Sequence, residues 1–118
     1  MTTAPREDGG SDGLVVYSTL GSEDDARDLV RKLVAARLVA CGTVVPGATS
    51  IYRWKDEISE ETEVLVILKT VRERWRDLEE AIARHHPYDV PELIAVPITL
   101  GSREYLGWLT NESTNNER

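Results

Sequence analysis

The apolar positions change period along the chain, and each change marks an element. Leu14 to Leu20 (LVVYSTL) is a short run rich in β-branched residues, closed by Gly21, and it reads as a buried strand. Ser22 then offers an N-cap oxygen, and Glu23, Asp24 and Asp25 place negative charge in the first helical turn. Ala26, Leu29, Val30, Leu33 and Val34 follow at helical spacing, predicting an amphipathic helix that ends near Arg37. Val39 to Trp54 and Ile58 to Thr70 return to strand composition, with Lys55-Asp56-Glu57 joining them. Asp56 tolerates the left-handed conformation of a tight hairpin turn. Pro46-Gly47 interrupts the first arm and predicts a bulge or bend, because proline cannot donate to a ladder.

Thr70-x-x-Glu73 has the form of a capping box. Val71, Trp75, Leu78, Ile82 and His85 then fall on one helical stripe, which places His85 inward. Pro87 pushes His86 out of helical geometry, so the helix stops there and His86 is free to reach a cleft. Leu93 to Leu100 predicts a strand, with Pro97 pointing to an edge or a bulge. Ser102 caps a last helix carrying Tyr105, Leu106 and Leu109. The order β-α-β-β-α-β plus a C-terminal helix is the split-βαβ, ferredoxin-like α+β pattern. Residues 1–13 and 112–118 are polar and are expected to be flexible tails beside a single domain over 14–111.

The hairpin is out of scale with the rest. Arms of about 13 residues reach about 43 Å at roughly 3.3 Å per residue, against a radius of gyration of about 13 Å for a compact domain of this size. Its far end carries Ile51, Tyr52, Trp54 and Ile58. Left in water, these form an apolar patch beside a pairing-competent edge. Homo-oligomerisation through the hairpins relieves both. With Trp108 added, these are the expected interface residues; a hairpin folded back on its own sheet at Pro46-Gly47 is the alternative.

Composition narrows the function. The 118 residues carry a net charge of −7. An acidic surface argues against nucleic-acid binding and against docking on anionic lipid. No apolar run is long enough to cross a bilayer. The first residues lack the apolar core of a secretory signal, and a lone cysteine excludes an intramolecular disulfide framework, so a cytosolic setting is expected. Phosphate-binding glycine loops and nucleophile elbows are missing from the sequence, and no enzyme is expected.

The candidate chemistry is of three kinds. Cys41 is a soft ligand for Cu(I) or Zn²⁺, or else a small buried hydrophobe. The adjacent His85 and His86 are imidazole ligands, or else a favourable positive end for their helix; successive helical residues point about 100° apart, so the pair does not chelate one ion naturally. Lys69, Glu63, Tyr88, Asp89 and Glu92 could line a shared cleft together with Trp54, or simply pair with one another.

Several strings resemble the CutA family. They are Ala40-Cys41-Gly42-Thr43, the run Pro46 to Trp54 (PGATSIYRW), Leu68-Lys69-Thr70, His85 to Glu92 (HHPYDVPE) and Tyr105 to Leu109 (YLGWL), in order over most of residues 14–110. Thr43 stands where many members have Asn, Asp56 where Gly is common, and Ser18 where some bacterial members carry a second cysteine. The resemblance implies a ferredoxin-like homotrimer whose long hairpins wrap the three-fold axis, with an architecture similar to the PII signalling proteins. It also implies divalent-cation tolerance, with copper or another divalent cation as ligand. A PII-like module that binds a small molecule between subunits is the second reading.

Overall fold

The computed structural model describes residues 12–114; of the tails expected over 1–13 and 112–118, residues 1–11 and 115–118 lie outside them. Strand β1 (Gly13–Leu20) leads to helix α1 (Glu23–Ala35), then β2 (Cys41–Trp54) and β3 (Glu57–Val71). A 3-10 turn over Arg72–Arg74 precedes helix α2 (Trp75–His85), strand β4 (Ile94–Pro97) and helix α3 (Arg103–Glu112). The strands form one antiparallel sheet in the order β2-β3-β1-β4. This is the α+β, ferredoxin-like arrangement that the pattern predicts.

One face of the sheet holds the core. Leu14, Val16 and Leu20 of β1 and Val64, Val66 and Leu68 of β3 pack with Leu29 and Leu33 of α1 and Leu78 and Ile82 of α2. A Cβ added to Gly42 would lie 2.7 Å from Val30 Cγ1 and 2.9 Å from Leu68 Cδ2, so only glycine lets α1 approach β2 this closely. Gly42→Ala should therefore lower the urea unfolding free energy by about 1–2 kcal/mol through overpacking; an unchanged midpoint would show that the helix has room to move.

The local signals act mostly as expected. Ser22 Oγ accepts from the Asp25 backbone N–H and opens α1. Arg37, at φ 60, closes it: its N–H donates to Val34 O while the Leu38 N–H donates to Leu33 O, a Schellman motif with arginine in the place usually held by glycine. The Arg37 side chain donates to Asn111 O and Thr114 O, so the residue that ends α1 also caps α3. The register shifts between Val45 and Ala48, placing the bulge at Pro46-Gly47. Lys55 and Asp56 both have positive φ (52 and 65), and Trp54 pairs with Glu57 across this two-residue turn.

Two readings need correction. The capping box does not form: Thr70 remains in β3 and its Oγ1 donates to Leu38 O, because pairing with Leu14 extends the strand to Val71. Strand β4 covers only Ile94–Pro97 of the span 93–100, and its last bond to β1 is from the Ile98 N–H to Gly13 O, where β1 begins.

The long hairpin does extend past the body. Strand β1 ends at Leu20, opposite Val64, so residues 57–63 of β3 pair with β2 alone. Seven residues at roughly 3.3 Å make about 23 Å of two-stranded ribbon. The molecule is accordingly elongated, 48 × 30 × 22 Å, with a radius of gyration of 15.2 Å.

Candidate functional site: an acidic and aromatic cleft beside the hairpin

Pairing decides which side chains meet. Residues directly opposite in a ladder share a face, and so do residues two apart. Ala48 pairs with Glu63, Ser50 with Glu61, Tyr52 with Ser59 and Trp54 with Glu57. Ser50, Tyr52, Trp54, Glu61 and Glu63 thus stand on one face of the ribbon. The loop after α2, with Tyr88, Asp89, Val90 and Glu92, borders the same space. Between them lies an open cleft of about 590 Å³.

The chemistry of this cleft is one-sided. Its walls carry Glu61, Glu63, Asp89 and Glu92, with no Lys, Arg or His among the lining residues. Tyr52 donates to Glu61. Tyr88 Oη donates to Glu63 Oε2 at 2.6 Å. Burial, then the bond to Glu63 and its charge, pushes the Tyr88 phenol well above its usual range, so it stays a neutral donor. Glu63 is 7% exposed.

His86 holds the loop in place. Its Nε2 lies 2.9 Å from Thr19 O, and the Tyr88 backbone N–H donates to Nδ1 at 3.1 Å. A carbonyl only accepts, so Nε2 carries the proton and the ring is the neutral tautomer. Burial lowers the His86 pKa, opposed by the bond to Thr19 and by the charges of Glu63 and Asp25. The ring also packs against Tyr88, centroids 4.8 Å apart.

The histidine expectations therefore reverse. His85 is exposed and His86 is buried: His85 keeps the angular position of Leu78, Ala81 and Ile82 but is the last residue of the helix, and the extended backbone at His86 carries that ring to Thr19 O. Both ring nitrogens of His86 are already engaged. Cys41 is far from either: it pairs with Lys69, which pairs with Val15, whereas His86 binds at Thr19, four residues along β1 and so about 13 Å away. Among the described residues, no group of three or more His, Cys, Asp or Glu side chains could hold a metal ion. His85, His86 and Cys41 do not make a metal centre within one chain.

Lys69 also parts from its expected neighbours. It lies six residues from Glu63 on β3, about 20 Å along the strand, and its Nζ sits 5.9 Å from the Tyr105 ring centroid. Cys41 Sγ is 3.9 Å from Tyr105 Oη, and burial, then Cys41, raises the Tyr105 pKa. The sequence reading grouped Glu63, Tyr88, Glu92 and Trp54 with Lys69 in a shared cleft; the first four line this cleft within one chain and Lys69 does not. It overlooked Glu61, whose signal was its two-residue spacing from Glu63 on a strand. Ser18 is fully buried, and its Oγ has no hydrogen-bond partner among the described residues.

A ferredoxin-like domain with an overlong β2–β3 hairpin and an acidic cleft at its base defines a narrow class of protein, and comparison with known proteins names it. Residues 14–112 match the family model described as CutA1 divalent ion tolerance protein. The chain is 48% identical over 95 residues to the divalent-cation tolerance protein CutA of Thermus thermophilus, covering 80% of this chain and 92% of that one. Among solved structures, CutA1 from Oryza sativa superposes with a TM-score of 0.86 at 34% identity, covering 92% of this chain and 99% of that one. The protein titled periplasmic divalent cation tolerance protein CutA, from Archaeoglobus fulgidus, superposes at 0.83 with 27% identity, covering 86% and 99%. This chain belongs to the CutA1 divalent ion tolerance family.

Proposed function

We propose that the protein acts as a cytosolic, non-catalytic homotrimer in tolerance of divalent cations, and that any copper or other ion is held where subunits meet. The observation that carries this is the hairpin tip. Ile51 and Ile58 are 65% and 71% exposed, and Tyr52 and Trp54 are exposed too. Ile51 and Ile58 belong to one face of the ribbon, Tyr52 and Trp54 to the other. A ribbon that is apolar on both faces cannot be sheltered by a body lying on one side only, which favours sister subunits as the cover. Both sheet edges, β2 and β4, are open for pairing, and Ile94, Val96 and Trp108 add exposed apolar surface. Ligand sets completed across subunits are the reading consistent with a family named for divalent ions and a single chain whose described residues hold no converged donor set. A lone, partly buried thiol suits a reducing compartment.

Native mass spectrometry of protein purified without added metal, followed by titration with Cu(II), tests this. The expected result is three copies and saturable copper uptake that disappears when the assembly is diluted to single chains. A folded monomer that binds copper as well as the assembly does would overturn it. A PII-like module is the second reading, favoured by one observation: the cleft is of a size that suits a small molecule.

A further inference from the structure

We propose that His86 is an acid switch: a second proton on its ring releases Tyr88, and the loop that follows it, from Glu63 and uncovers that carboxylate at the base of the hairpin. The device uses contacts within one chain and stands apart from the assembly and the ions proposed above.

The two ring nitrogens have opposite duties. Nε2–H donates to Thr19 O of β1 at 2.9 Å, and Nδ1 accepts the Tyr88 N–H at 3.1 Å. A second proton can enter only at Nδ1, because Nε2 already carries one. There it would point at the Tyr88 N–H, donor against donor, so the imidazolium and this bond exclude each other. The loop has little else to hold it. Residues 87–92 belong to no helix or strand. Among the described residues, their hydrogen bonds to the rest of the chain are this one and the bond from Tyr88 Oη to Glu63 Oε2 at 2.6 Å. Both run through Tyr88, whose ring packs on the imidazole. Asp89, Val90 and Glu92 are exposed. A segment tied at so few points opens at the low end of a protein's local stability.

The charges around the ring set the direction of the switch. Glu63 of β3 and Asp25 of α1 act on it, and both favour the second proton. Strand β1 presents the Thr19 carbonyl, α2 ends in the exposed His85, and the Tyr88 phenol stays neutral. Burial opposes the charge and prevails, so the loop is held at neutral pH and opens in acid. The new charge also draws the ring toward Glu63, in competition with the Tyr88 hydroxyl. Once the loop is open, the ring meets water and takes its proton at the ordinary value of about 6.5. One proton separates the two states, so the ratio of open to held rises about tenfold per pH unit between that value and the lowered one.

Nuclear magnetic resonance of the intact protein tests this, reading the His86 ring nitrogens and the exchange rate of the Tyr88 amide from pH 7.5 down to 5. The expected result is the Nε2–H tautomer at pH 7.5. Below about pH 6.5, Tyr88 amide exchange, corrected for its intrinsic pH dependence, should speed about tenfold per pH unit as His86 gains its proton. The amides of Val16 and Leu68, paired in the core strands, should keep their protection throughout. His86→Gln is the comparison: its side-chain amide can donate to Thr19 O and does not titrate, so the corrected Tyr88 rate should no longer vary with pH. The core amides report whether that variant is folded, and the wild-type curves decide without it. A Tyr88 rate that stays flat across the range, core amides that open together with the loop, or the same acid response in a folded His86→Gln protein would each overturn the proposal.

Discussion

With Ile51→Glu and Ile58→Glu together, the protein should sediment as single chains at concentrations where the wild type remains assembled. Both side chains are largely exposed in one chain and lie on the ribbon face opposite Trp54. Fully burying an isoleucine is worth about 1.5–3 kcal/mol, so losing two per chain removes about 3–6 kcal/mol, or two to four decades of affinity. Burying the new carboxylates unpaired costs more still. The domain core contains neither residue, so far-UV circular dichroism should stay close to wild type. Analytical ultracentrifugation across a dilution series decides it. An unchanged assembly would mean that the exposed isoleucines are not what the subunits share.

His86→Ala should cost about 3 kcal/mol and loosen the loop that walls the cleft. It removes the donor to Thr19 O and the acceptor for the Tyr88 N–H, each left part-buried and unmatched at about 1–3 kcal/mol. For a domain of about 100 residues that lowers the melting temperature by roughly 12 °C or more. The wild type should also show an acid-sensitive component of stability. Burial lowers the folded-state pKa of His86 below the unfolded value of about 6.5, so the unfolded chain takes up the proton first. The histidine contribution is complete above that pH and is lost as pH falls toward the lowered folded value. His86→Ala removes this component, and carboxylate titration at lower pH remains. Urea midpoints measured from pH 7.5 down to 5 check both points. A variant with wild-type stability and the same pH profile would mean that the histidine clamp is dispensable.

The fold was legible because its local signals agree with one another. The Ser22 cap, the bulge at Pro46-Gly47, the turn at Asp56 and the stop before Pro87 each depend on backbone geometry or on neighbours a few residues away. Thr70 shows where such signals fail. It satisfies a helix-start pattern, but pairing with Leu14 keeps it in a strand, and its hydroxyl serves Leu38 instead. The histidines show the same limit. Extending the stripe from Ile82 to His85 put the wrong imidazole inside, because the turn before Pro87 swings His86 back over β1.

The sequence by itself determined the element order, the edge character of Pro97, an arm too long for its body and an apolar tip, since each follows from spacing and residue chemistry within one segment. Only the tertiary structure decided which charges face one another. Glu63 meets Tyr88 from 25 residues away, and His86 reaches the carbonyl of Thr19 from 67 away. Lys69 turns to Tyr105 instead of the cleft. Strand register and the packing of a loop over the sheet set those meetings, and one residue of slip would turn every side chain of a strand to the opposite face.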